Sequence, residues 1–225
     1  MSQHSAAVQA SESYLMAAIL SVTGGFLDAY TYISRGGVFA NAQTGNFCFL
    51  AIALVDGDVL SATRYLFPIL AFVLGTLLAE SLRRRLMRLQ ALHWRQVVVL
   101  LEIVLLFIVA FLPGTANNLA NLLVSFLCAV QGQTFRKFLG NTFASTMCTG
   151  NLRSASEHLS RYFTNGDPAL RHKSLHYFGI DLLFVCGVML GAWCTKQLLC
   201  SAALVCAGLL TAAFILMFIR PDETL

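Results

Sequence analysis

Two short polar motifs and two isolated carboxylates are the residues of this chain whose types and spacing could do chemistry. Thr44-Gly45-Asn46 and Thr149-Gly150-Asn151 each follow a Phe-Ala pair, Phe39-Ala40 and Phe143-Ala144, with one extra residue in the second copy. Thr or Asn can cap a short helix, Gly lets a backbone or a ligand come close, and the free N–H groups of a helix start point at whatever lies there. Two such half-helices meeting inside a membrane would turn their positive dipole ends toward an anionic or strongly polar solute. Asn41, Gln43, Asn46, Asn141, Thr142 and Asn151 would supply the hydrogen bonds. The alternative use is structural: the motif caps and packs a broken helix, because Gly and small residues also serve close helix contact.

Asp28 precedes its Thr-Gly-Asn by 16 residues, and Gln133 precedes the second copy by the same 16. With Gln131 and Arg136 beside it, Gln133 would build an amide and basic wall opposite the acidic one. The candidate solute-binding set is therefore Asp28, Asn41, Gln43, Thr44, Gly45, Asn46, Gln131, Gln133, Arg136, Asn141, Thr149, Gly150 and Asn151. A charge near the bilayer centre costs about 2.5 to 3.5 kcal/mol on insertion scales, so each needs a partner, a hydrated cavity or an interfacial place. Glu102, between Leu101 and Ile103, has no Lys or Arg within a helical turn. It is either a proton or cation site or a neutral acid bonded to a neighbouring helix. Asp28 and Glu102 are the candidates for proton or ion coupling, whereas Asp181 and Glu80 lie near the ends of their apolar runs and are expected at the interface.

The elements that must hold these residues are apolar. The chain has 225 residues, 57% hydrophobic and 12% charged, with a mean hydropathy of +0.71, which a soluble globule of ordinary composition does not reach. A bilayer core of about 30 Å needs about 20 mostly apolar residues per helical span. Six stretches qualify: Tyr14 to Ile33, Tyr65 to Leu82, Val97 to Leu112, Leu119 to Leu139, Tyr177 to Cys194 and Leu198 to Ile219. Gly36 to Leu54 and Gly140 to Leu159 are long enough but open with Gly, Asn, Gln and Thr, unlike a lipid-facing span. Met1 to Ser13 has no Lys or Arg before the first apolar run, so no charged signal-peptide region is expected and that run should stay as a helix.

The likeness of the halves extends beyond the motifs. Gly57-Asp58 follows the first copy and Gly166-Asp167 the second, and Val73-Leu74-Gly75 has a counterpart in Met189-Leu190-Gly191. This implies tandem repeats meeting near Pro113-Gly114: a polar cytoplasmic tail over 1–13, a first membrane repeat over 14–113 and a second over 114–225, in one membrane domain. If the two polar segments dip in and return, Lys and Arg divide 12 against 3, with only Arg35, Arg64 and Lys196 on the poorer side. If both cross fully, the division is 9 against 5, with Arg153 stranded in a span. The positive-inside bias favours the first topology: six spans with two re-entrant or broken helices. Three spans per copy, an odd number, make the repeat inverted. Full crossing would make eight spans and parallel repeats.

Other chemistries find little support. The net charge of +4 comes from short basic clusters beside apolar runs, such as Arg83-Arg84-Arg85 and Arg88. These read as topology anchors on phospholipid headgroups rather than as a nucleic-acid surface. The seven cysteines form no Cys-x-x-Cys pair, and His158, His172 and His176 have no matching ligands, so neither metal nor cofactor is expected. No phosphate loop, nucleophile elbow or metalloprotease His motif is present.

The run Gly25-Phe26-Leu27-Asp28-Ala29, then Gly36-Gly37-Val38-Phe39-Ala40 and Gln43-Thr44-Gly45-Asn46, resembles the first signature of the YoaK-like family of bacterial membrane proteins. Gln131-Gly132-Gln133, Phe135-Arg136 and Met147-Cys148-Thr149-Gly150-Asn151-Leu152 resemble its later motif. The resemblance covers nearly the whole chain and implies a multi-pass protein of the bacterial inner membrane with about six helices. It brings no agreed substrate or activity. The physical reading is a transporter or channel for a small polar or anionic solute passing between the repeats, not an enzyme. Membrane lipids surround it, and a homo-oligomer is compatible with it. Two other classes stay open: an embedded enzyme acting on a lipid or apolar carrier through Asp28 or Glu102, and a sensor or assembly protein without transport.

Overall fold

The computed structural model describes residues 13–86, 94–138 and 148–219, together with the backbone of 141–142. The elements are helices α1 (Tyr14–Ser34), α2 (Gln43–Val55), α3 (Val59–Leu86), α4 (Trp94–Phe111), α5 (Asn117–Thr134), α6 (Cys148–Asn165), α7 (Pro168–Leu198) and α8 (Ala203–Ile219). A two-residue antiparallel pairing of β1 (Lys137–Phe138) with β2 (Asn141–Thr142) interrupts the helices.

Local chemistry sets the boundaries. Ser13 Oγ accepts the Met16 N–H at 3.2 Å and starts α1. Arg35, Gly36 and Gly37 end it, the glycines at φ +91° and +78°, a left-handed turn that side chains with a Cβ resist. The two Gly-Asp pairs do one job twice. Gly57 and Gly166 turn at φ +70° and +69° behind α2 and α6. Asp58 then accepts the Ser61 N–H at 3.0 Å to start α3, and Asp167 accepts the Ala169 N–H at 2.9 Å to start α7.

Contacts between helices fix their directions. α1 and α7 run parallel: a Cβ added at Gly187 would lie 2.2 Å from the Val22 carbonyl oxygen, and one at Gly191 would lie 2.6 Å from that of Phe26. Such a Gly-xxx-Gly face lets two backbones touch where lipid gives no hydrophobic drive between helices. α3 and α5 form a second parallel pair, Gly75 against the Phe126 carbonyl and Glu80 beside Gln133. α8 runs antiparallel to α1, since Tyr30 meets Cys200 and Thr23 meets Cys206. α4 joins α5 and α8, α2 lies on α3, and α6 lies on α7. α1 is buried on every side from Thr23 to Thr31 and forms the centre of the bundle, packed with residues such as Leu106, Val124, Leu127 and Leu210.

Four helical stretches among the described residues are long and apolar enough to cross a membrane: Tyr14–Ser34, Val59–Arg85, Trp94–Phe111 and the continuous run Pro168–Phe218. The sequence divides that last run in two, and the structure breaks it at Leu199, whose φ is +49°. α5 is not among these four: Asn117, Asn118, Asn121, Gln131 and Gln133 lower its hydropathy, although Asn121 and Gln131 are buried inside the bundle. The span expected over Leu119 to Leu139 ends five residues early. Phe135 and Phe138 supply hydropathy there, but they are buried beyond the helix, in the loop and in β1.

Candidate functional site

The chain between α1 and α2 turns back through 35–42 to the level of Asp28 before the helix begins. Its turning point is tied to α1. Asp28 Oδ1 accepts the Asn41 N–H at 2.7 Å, with the amides of Ala40 and Ala42 also facing this carboxylate, and Asn41 Nδ2 donates to the Gly24 carbonyl at 3.0 Å. Asn46 closes the loop from the other side: its Oδ1 accepts the Phe39 N–H at 3.1 Å, and its Nδ2 donates to the Phe39 carbonyl at 2.7 Å and to Gln43 Oε1 at 2.9 Å. Gly45 leaves room for the Phe39 ring, which stacks on Tyr32 at 4.8 Å between centroids. The expectation that Thr or Asn caps α2 is corrected here. Its N-cap is Ala42, which makes no side-chain bond, and Asn46 instead copies a backbone partner for Phe39.

The second motif opens α6. Asn151 Nδ2 donates to Asp181 Oδ1 of α7 at 3.1 Å, and the Cys148 thiol meets the same carboxylate. Asp181, expected at an interface, faces the motif. Each of these two helix starts thus has a carboxylate from a long helix beside it, Asp28 for α2 and Asp181 for α6.

Both starts border one cavity of about 1010 Å³. Asp28, Asn41, Gln43, Thr44, Thr149, Gly150, Asn151 and Ser154 form its polar part. Ile69, Phe72 and Val73 of α3, Phe184, Val188 and Ala192 of α7, and Tyr32, Phe39 and Phe47 form apolar walls. No Lys or Arg lines it among the described residues. Gly45 and Asn46 lie behind the wall. The side chain of Asn141 and all of Phe143 and Ala144 fall outside the described residues.

The remaining candidates lie elsewhere. Gln131 and Glu102 border a small closed void between α4, α5 and α1, where Glu102 Oε1 and Gln131 Nε2 have no hydrogen-bond partner among the described residues. Gln133 donates to Glu80 Oε2 at 3.2 Å and Arg136 pairs with the same carboxylate at 3.9 Å, at the α3 and α5 ends beside a basic pocket of about 340 Å³. The acidic and amide walls therefore do not face each other. Equal spacing from the motif does not give equal depth, because 35–42 joins α1 to α2 whereas the longer 135–147 joins α5 to α6.

One residue with a large structural role was read from sequence only as a topology charge. Arg35 is fully buried. Its Nε donates to the Tyr30 hydroxyl at 2.9 Å, its NH2 to the Val109 carbonyl at 2.8 Å, and its NH1 to the Leu112 and Pro113 carbonyls at 3.1 and 3.3 Å. Tyr30 in turn donates to the Cys200 carbonyl at 3.0 Å, and Asn121 Nδ2 donates to the Arg35 carbonyl at 2.8 Å. The signal available was its isolation: it is the only cation between Met1 and Thr63.

Residues 16–217 match the family described as "Protein of unknown function (DUF1275)". The chain belongs to that family. No curated protein and no solved structure matches it. The chain is thus a helical, membrane-type member of a family whose description assigns no activity.

Proposed function

We propose that this family member is a six-crossing transporter or channel, with α1, α3, α4, α5, α7 and α8 crossing and α2 and α6 re-entrant. The halves form an inverted repeat: the parallel pair α1 and α7 corresponds to the parallel pair α5 and α3, running the opposite way, and the two Gly-Asp junctions fill matching places. One observation carries the functional reading. Two motifs about a hundred residues apart in sequence, each opening a half-helix, border the same cavity beside Asp28.

The solute favoured is polar rather than anionic. The dipole ends would favour an anion, but Asp28 and Asp181 already stand at them, and no cation lines the wall. The setting in a bacterial inner membrane rests on the resemblance of the signatures alone.

Purified chain in liposomes is expected to give flux of a small polar solute. Asn151→Ala, on the cavity wall, should cut flux about tenfold, the effect of one lost hydrogen bond worth about 1.4 kcal/mol. Asn46→Ala should also cut flux, but through a loosened loop, so its thermal stability falls as well. A silent screen of small polar and anionic solutes, with Asn151→Ala indistinguishable from wild type, would remove the proposal.

A further inference from the structure

The apolar part of the cavity has a consequence for what fits inside it. Most of its wall comes from aliphatic and aromatic side chains, and its volume is at the upper end of the range, about 300 to 1,000 Å³, that holds ligands of drug size. A small hydrated solute would leave Phe72, Val73, Phe184 and Val188 facing water. An apolar chain or ring would cover them.

The polar end has a charge of one sign. Asp28 presents a carboxylate, and no Lys or Arg among the described residues balances it at the wall. Gln43, Thr44, Thr149, Asn151 and Ser154 add only neutral amides and hydroxyls. A head that donates hydrogen bonds, above all a cationic one, completes this site. An anionic head meets like charge in a poorly screened place.

The depth of the cavity also favours such a molecule. Val73 lies midway along α3 and is 51% exposed, and Phe47 is 56% exposed, and both border the cavity. Their apolar side chains therefore lie at a level where, with α3 crossing as proposed, lipid is the solvent outside the bundle. We propose, resting on the transport reading above but replacing its small solute with a larger one, that the ligand is an amphiphile with an apolar tail and a cationic or hydrogen-bond-donating neutral head.

The test is equilibrium binding to the full chain in phosphatidylcholine nanodiscs, with empty discs subtracted. The probes are decylammonium, decanol, decyl sulfate and ethylammonium. Decylammonium is expected to bind at least about tenfold more tightly than decyl sulfate, since like-charge contact at a desolvated site costs several kcal/mol. Ethylammonium should compete poorly. Asp28→Asn, which keeps an oxygen for the Asn41 N–H, should erase the preference for cation over anion. Val73→Trp, outside that hydrogen-bonded loop, should weaken all decyl probes alike and leave the preference intact.

Adding phosphatidylethanolamine separates two sources of the same chemistry. Competition by that lipid identifies a bilayer lipid as the occupant, equal binding identifies a dissolved amphiphile, and either upholds the ligand class. Tightest binding of decyl sulfate, equal competition by ethylammonium, or an unchanged preference in Asp28→Asn would overturn it. The two readings fail separately: selective amphiphile binding without any flux removes the pathway alone, and flux of soluble solutes without amphiphile binding removes this inference alone.

Discussion

At the scale of single residues, Arg35 has the most demanding position. It is a buried cation with no carboxylate partner among the described residues, and it is held by carbonyl oxygens instead. Val109, Leu112 and Pro113 lie at or just past the end of α4, where the carbonyls carry the helix's negative dipole end. Val109 and Pro113 already accept the Leu112 and Ala116 N–H groups, so the guanidinium gives these two a second bond and reaches the Leu112 carbonyl as well. Through Tyr30 it also reaches the junction of α7 with α8, and through Asn117 Oδ1, at 3.4 Å, the start of α5. A planar fork with five donors suits this task, and an ammonium does not. Arg35→Lys keeps the charge but loses the fork, and the Leu112 carbonyl, which has no backbone N–H partner among the described residues, loses its donor. Unfolding of the purified variant should show a loss of about 1 to 3 kcal/mol, the cost of one buried group left unsatisfied. A variant as stable as wild type would show that water replaces the fork there.

At the scale of elements, the α1 and α7 contact holds the cavity wall in place. Gly187 and Gly191 bring α7 onto the backbone of α1, so Phe184 and Val188 on the same helix line the cavity beside Asp28. Gly191→Ala would put a methyl group 2.6 Å from the Phe26 carbonyl oxygen. A helix shift of that kind should cost about 1 to 3 kcal/mol and lower ligand affinity with it. Gly208→Ala on α8 meets nothing within 4 Å among the described residues and serves as the control, unchanged or stabilised by up to about 1 kcal/mol through helix propensity. Equal behaviour of the two variants would mean that the helices slide freely. The sequence showed much of this level. Apolar runs located the long helices, because hydropathy and length are local properties. The Gly-Asp pairs were recognisable as repeated, though not as helix stop and start. What local pattern could not give was depth: Gln131 and Gln133 are two residues apart, yet one faces Glu102 in the core and the other Glu80 at a helix end. Nor could it tell that Asn46 would bind its own loop while Asn151, at the matching place, would reach across to α7.

At the scale of the whole molecule, the decisive question is whether the segments carrying the motifs return to the side they came from. A Cβ at Gly36 would lie 3.9 Å from Arg64 Cδ, so the chain leaving α1 and the first turns of α3 share one end of the bundle. Arg35 places the α4 end and the α5 start at that same end, and Tyr30 adds the α7 and α8 junction. The opposite end holds the start of α1, where Tyr14 meets Phe138 of β1 and His176 of α7, and the ends of α3 and α5 around Glu80. Long helices therefore alternate in direction along the chain, while α2 and α6 begin beside Asp28 and Asp181 of long helices, and in the proposed topology both are re-entrant. In the proposed six-crossing topology Lys and Arg divide 12 to 3, and the positive-inside bias would put the richer end in the cytoplasm. Single cysteines in a background freed of the seven native ones provide the test, using a membrane-impermeant maleimide on sealed cells or vesicles. With six crossings, labels at Asp58 and Lys196 react from one side, and labels at Arg85 and Asn165 react from the other. With eight crossings, Asp58 and Lys196 would react from opposite sides, as would Arg85 and Asn165. That second pattern would make the repeats parallel, carry the motifs through the membrane instead of halting them at its middle, and leave Asp28 beside a continuous helix rather than at a helix start.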